Sequence, residues 1–535
     1  MHGFSFFNNL ITKSLLIMGG FLVLGVAVPD GTGTEATIAY PIEEGAKASE
    51  TDNIDTLVMG SLRSKGIKPA VVCPDEVFIR RVYLDVIGTL PENAAVRFFL
   101  ADRRLDKRAR LINELLERDE FADYWTLKWG DLLRVKAEYP INLWPNGVQA
   151  YNRWIHDAIK NNMPYDQFAR ELLTSSGSNF RVPQVNFYRA IQGHESSAIA
   201  GAVSLTFMGV RIEKWPADKR LGMEVFFSRV SYKQTAEWKE EIVMTDPAQT
   251  GSLKAVFPDG VSVQIAAGED PREVFAEWLI RPENPWFARN IVNRIWFWLL
   301  GRGIIHEPDD IRQDNPAVYP ELLTFLEKEL IKSNYDLRYI FRLILNSDTY
   351  QQSSIPRSDH PDCEKLFAYY PVRRLDAEVL IDALCLITGT QESYSSVIPE
   401  PFTFIPEENR SIELADGSIT SEFLEMFGRP TRDTGLESER NNNPTDAQRL
   451  HLLNSTHIQN KIERSPKLRR LINTAKGNRN LLINSIYLMV LSRYPTQGEL
   501  TTAKKYMLTE GLNNRQAMND LVWALINTKE FLYRH

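Results

Sequence analysis

Apolar residues recur every three or four positions along most of this chain, and that spacing commits it to helices. Phe78, Val82 and Val86 fall on one helical face. Leu111, Leu115 and Leu116 make a second stripe, and Trp125, Trp129 and Leu132 a third. Asp75 and Glu76 follow Pro74 and suit a first turn, where the helix dipole favours negative charge. Asp166 is expected to cap a short helix, Gln167 to Leu173. Trp286 to Leu300 is helical and dense in aromatics. Pro320 suits a first helical position, and Leu323, Leu326 and Leu330 carry a stripe to a stop near Asn334.

The pattern breaks between about Ser231 and Asp270. Val256-Phe257 leads into Pro258-Asp259-Gly260, after which Val261, Val263 and Ile265 alternate with polar residues. That predicts a β-hairpin with a Gly-containing turn. With 535 residues and 43% apolar usage, a large core is attainable without disulfides. The fold expected is mainly α: two multi-helical domains, 53–230 and 270–535, with a small β-hairpin element in a linker over 231–269. A long stretch from Ile398 to Pro444 has little helical period, and loops of that length are usually functional or flexible. One internal echo runs through the chain. Tyr83-Leu84, Pro91, Leu115-Leu116 and Glu120-Phe121 parallel Tyr487-Leu488, Pro495, Leu525-Ile526 and Glu530-Phe531, with a weaker copy of the closing part at Leu343 to Tyr350.

The N-terminus reads as an export signal. Lys13 precedes an uncharged apolar run, Leu15 to Val28, too short to span a bilayer but suited to a secretory signal. Gly25 and Ala27 place cleavage after Ala27, giving a signal over 1–27 and a Gly/Thr/Glu-rich tether over 28–52. The protein is expected to be periplasmic or at the cell surface, with an uncleaved N-terminal anchor as the alternative. A net charge of −7 argues against a nucleic-acid partner. Cys73, Cys363 and Cys385 lack metal or haem spacing, and Cys385 lies in an apolar helical pattern.

Candidate sites are clusters of polar residues. His306-Glu307-Pro308-Asp309-Asp310, with Asp314 and Asn315, could offer oxygens to Ca²⁺ or another divalent cation. The competing reading pairs Asp309 or Asp310 with Arg302 or Arg312, or makes one a helix cap. Arg373, Arg374 and Asp376, with Glu378, open a helix and suggest an ion-pair network or an anion site. Arg429, Arg432, Asp433, Glu437, Glu439 and Arg440 lie in the long irregular stretch and are expected to line the main cleft. His451 and His457, six apart, would lie on different faces of a continuous helix and make a poor ligand pair. His194-Glu195-Ser196 has no nucleophile elbow around it. Trp278, Trp286, Trp296 and Trp298 could stack on sugar rings, but helical spacing favours core.

From Phe78 to Arg134 the run FIRRVYLDVIGTLPENAAVRFFLADRRLDKRARLINELLERDEFADYWTLKWGDLLR resembles the first of two domains of unknown function paired in planctomycete and related bacterial proteins. The second domain is matched by NPWFARNIVNRIWFWLLGRGIIHEPDDIRQDNP, PELLTFLEKELIKSNYDLRYIFRLILNSDTYQQSS, VRRLDAEVLIDAL and PTDAQRLHLLN. The first domain is often associated with a planctomycete-type cytochrome c, and many copies carry Cys-x-x-Cys-His after a Gly-Val-Arg-like element. Here Gly209-Val210-Arg211-Ile212-Glu213 runs into Lys214-Trp215-Pro216, so no c-type haem is expected there. Relatives also often carry cysteines where this chain reads Asp433 to Arg440. No cofactor is otherwise expected. The resemblance brings no agreed activity. The reading carried forward is an extracytoplasmic binding or scaffold protein whose partner is another exported protein or a polysaccharide. The alternative is a metal-dependent enzyme or redox accessory protein with its site between the two domains.

Overall fold

A computed structural model describes residues 53–535 apart from Phe404, Pro406 and Glu407. The expected signal and tether, 1–27 and 28–52, lie outside the described residues. The chain is mainly helical, and its sheets are small, of two or three strands each. No described helix is long and apolar enough to cross a membrane.

The apolar stripes become helices over Asp75–Val86, Lys107–Leu116, Asp119–Leu132, Phe287–Leu300 and Pro320–Lys332, each burying its stripe. Asp166 is the one misplaced cap. The helix is Tyr165–Thr174, with Pro164 at its N-cap and Asp166 inside the first turn. Tyr165 is drawn in because its ring stacks on Phe287 at 4.6 Å. The hairpin forms as Leu253–Val256 against Ser262–Ile265. A three-stranded antiparallel sheet, not foreseen, joins Glu241–Thr245 to Gly177–Ser178 on one side and Val230–Gln234 on the other.

Buried side chains from Ile54 to Phe531 form one continuous core. Aromatic rings bridge distant segments within it: Trp125 lies 5.2 Å from Trp298 and 4.4 Å from Phe341. The echoed segments show a shared plan. The Lys107–Leu116, Leu337–Leu345 and Asn514–Ile526 helices each stop, and after a short break a new helix begins at Asp119, Asp348 or Lys529. The Asp75–Val86 helix ties these units together through charges that amphipathic logic would place outside. Arg80 donates to the carbonyls of Val490 at 2.8 Å and Phe531 at 3.0 Å. Arg81 donates to those of Tyr350 at 2.7 Å and His535 at 2.8 Å. Asp85, fully buried, accepts from the hydroxyls of Tyr350 at 2.8 Å and Tyr370 at 2.9 Å. Paired strands Arg373–Arg374 and Tyr533–Arg534 close the chain end onto the same centre.

Candidate functional site

The arginines and carboxylates singled out in the sequence converge, but inside the protein. Asp376, buried, takes Lys128 at 2.9 Å, Arg534 at 3.2 Å and the Asn442 amide at 2.7 Å. Burial alone would raise its pKa; Lys128, Arg534 and Arg440 outweigh that and hold it well below the usual carboxylate range. Arg440 bridges Glu378 at 2.7 Å and Asp131 at 2.6 Å, and Arg432 reaches Asp131 at 2.8 Å. Arg373 meets Asp85 at 2.8 Å, Arg374 bonds Gln448, and Arg429 donates to the Ile419 and Asp416 carbonyls. Glu439 accepts from the amides of Asp433 and Thr434, and Asp433 pairs with Lys136 at 2.8 Å. These residues lock the irregular stretch onto the Asp119–Leu132 and Ala377–Thr388 helices.

The acidic loop is taken up in the same way. Asp309, 1% exposed, pairs with the fully buried Arg294 at 2.7 Å and accepts the Glu437 backbone N–H at 2.7 Å. Asp310 goes to Lys214 and Arg312, and Asp314 to Arg312. The expected cation cluster of Asp309, Asp310 and Asp314 is therefore not assembled. Among the described residues no three Asp, Glu, His or Cys side chains are grouped to hold a metal. The acidic loop and the Arg429–Arg440 loop do meet, through a carboxylate already neutralised by arginine.

Two open clefts lie away from these residues. One of about 670 Å³ runs between segments 83–120 and 382–467 and contains none of the residues from Arg429 to Arg440. Asp382 lines it. Burial pushes this carboxyl up to about 7, against two backbone N–H donors, Ser411 at 2.7 Å and Ile412 at 3.1 Å. Burial also pushes the neighbouring Cys385 thiol up to about 11, which disfavours the reactive thiolate at neutral pH. At its edge Glu392 accepts from His457 at 2.9 Å, and His457 Nδ1 lies 3.3 Å from His451 Nε2. The reading of these histidines as turned apart is corrected. The helix breaks at Ser455, which caps a second helix, Thr456–Glu463, and folds one ring back onto the other.

A second cleft, of about 290 Å³, carries a different chemistry. Beside it stand three aromatic rings, with Trp144 4.6 Å from Trp238 and 5.5 Å from Phe402. Trp238 is 62% and Phe402 48% exposed, so this cluster faces water. The cleft wall presents Asn146, Gln149, Asn152 and Asn409, whose side-chain amides are committed to no partner among the described residues. Thr403 Oγ1, in the same wall, is buried and has no partner among the described residues. The four tryptophans weighed for this role, Trp278, Trp286, Trp296 and Trp298, are core or packed against it. Sequence reasoning missed the real cluster, although Trp238 sits in the charged run Glu237 to Glu241, where a buried ring is hard to accommodate.

This helical architecture has one core shared by two sequence regions. Residues 53–213 match PSCyt2, a protein of unknown function (DUF1549), and residues 271–507 match PSD1, a protein of unknown function (DUF1553). The chain belongs to the family that pairs these two domains in this order. No curated protein and no solved structure matched it.

Proposed function

We propose that this protein is an exported, extracytoplasmic binding protein whose ligand is a polysaccharide. The observation that carries the reading is the water-facing Trp144, Trp238 and Phe402 cluster beside a cleft of uncommitted amides. Sugar rings present apolar C–H faces that pack on aromatic rings, and hydroxyls that need donors and acceptors together, which a carboxamide supplies. An exposed aromatic patch of this kind marks an interaction site. Affinity electrophoresis through gels containing a soluble β-glucan, a xylan or a pectin tests this. Wild type should be retarded in at least one gel, and Trp144→Ala with Trp238→Ala should migrate as in a sugar-free gel. No retardation of wild type in any gel, or retardation untouched by the two substitutions, overturns the reading.

A second reading, an enzyme with its site between the two family regions, draws on Asp382. A carboxyl raised into the neutral range in a cleft is a feature of acid–base sites. Release of reducing ends from the retained polysaccharide, abolished by Asp382→Asn, would favour it. Absence of release leaves the binding role standing alone.

A further inference from the structure

Most buried arginines here face a carboxylate or a full set of carbonyls; Arg134 has neither. It is 3% exposed, and among the described residues no carboxylate lies within ion-pair distance of it. Its Nε reaches the Ala190 carbonyl at 3.2 Å, and Nη1 reaches those of Leu132 at 3.3 Å and Thr434 at 3.4 Å. Nη2 is buried with no partner. Burial lowers its pKa to about 10, outweighing the more distant pull of Tyr151 and Glu439. By contrast Arg294, Arg432 and Arg440 each hold a carboxylate at 2.6–2.8 Å. A desolvated charge without a counter-ion is costly, and an anion from outside would relieve it.

Arg134 lines a cleft of about 370 Å³ that has room for such an anion. Arg211, on another sequence segment, lines the same cleft; among the described residues it has no carboxylate partner, and its Nε is buried and unpartnered. Two carboxylates also border the space. Asp433 is already paired with Lys136 at 2.8 Å, and Glu213 is exposed. The floor is the Ser196–Val203 helix, where Ser197 offers a hydroxyl. The loop wall comes close to Arg134 only because of Gly435. Its φ is +74°, and a Cβ there would lie 2.6 Å from Nη1.

We propose that this cleft binds a compact oxyanion (a carboxylate, sulfate or phosphate group), with Arg134 and Arg211 as its recognition residues. Guanidinium groups match such oxyanions through paired N–H donors, and the site is separate from the aromatic platform. Isothermal titration of the full chain at constant ionic strength, balanced with chloride, uses three probes: sodium sulfate, inorganic phosphate and glucuronate. At least one should give saturable heat, weakened about tenfold or more in Arg211→Gln. Arg134→Met should abolish it. Arg211 is only partly buried, so its variant keeps the test valid if Arg134→Met fails to fold. Binding of glucuronate alone would assign the anion to an acidic sugar; binding of sulfate or phosphate would assign it to a small ion or an ester of one. No saturable heat with any probe, or heat unchanged in Arg211→Gln, overturns the proposal.

Discussion

Replacing Arg294 by Met should be among the most damaging single changes available in this chain. Arg294 is fully buried and Asp309 is 1% exposed, so neither charge can turn to water when its partner goes. Arg294→Met leaves Asp309 with one backbone donor, the Glu437 N–H at 2.7 Å, and takes the nearest cation from Glu437, 3.4 Å away. Breaking a buried pair from one side costs about 3–5 kcal/mol. Asp309→Asn keeps an acceptor for the Glu437 N–H and leaves Arg294 its Glu437 contact, so the loss should be nearer one charged hydrogen bond, about 1.5–3 kcal/mol. The double variant removes both charges and should cost less than the sum, with a coupling of about 2 kcal/mol or more. Urea unfolding followed by tryptophan fluorescence measures all four corners, and Trp298, which donates to Glu437 at 3.1 Å, reports from within the network. A coupling within about 0.5 kcal/mol of zero would refute the reasoning. So would a calcium-dependent rise in the wild-type midpoint that Asp309→Asn removes, since that would restore the acidic loop as a cation site.

Two further outcomes follow from single positions. Asp382 titrates near 7 when folded and near 3.9 when unfolded, so the folded state binds the extra proton between those values. Its contribution is complete below about pH 4 and is lost as pH rises through about 7, by up to about 4 kcal/mol; urea midpoints across this window should fall with pH in wild type and lose that component in Asp382→Asn. Gly428 has φ +90°, and a Cβ there would lie 1.8 Å from the Asn441 carbonyl oxygen, whereas one at Gly477, φ +84°, meets nothing within 4 Å. Gly477→Ala should cost about 1–2 kcal/mol from backbone strain alone, and Gly428→Ala clearly more, by the same unfolding assay; equal costs would show that the close approach is not real.

What was legible in advance was local. A stripe such as Phe78, Val82 and Val86 carries its own period, and Pro258-Asp259-Gly260 carries its own turn, so both elements appear where they were expected. The family signatures were equally readable, because they are contiguous strings. The break at Ser455 could also have been read, since a serine before a new helical turn is a capping signal; treating 451–457 as one helix hid the meeting of its two histidines.

Charge partners were not legible, because nothing in a string of residues records which distant groups share a desolvated space. Arg429 to Arg440 were expected to line the main cleft, yet Arg432 and Arg440 find Asp131 about three hundred positions earlier. Trp144, Trp238 and Phe402 come from three separate segments, and only chain folding turns them into one face. The sequence by itself determined the helical elements, the hairpin and the family, because these depend on neighbours a few residues apart. The tertiary structure alone decided which charges are neutralised and which clefts remain open, because burial and Coulomb attraction act through space and take no account of separation along the chain.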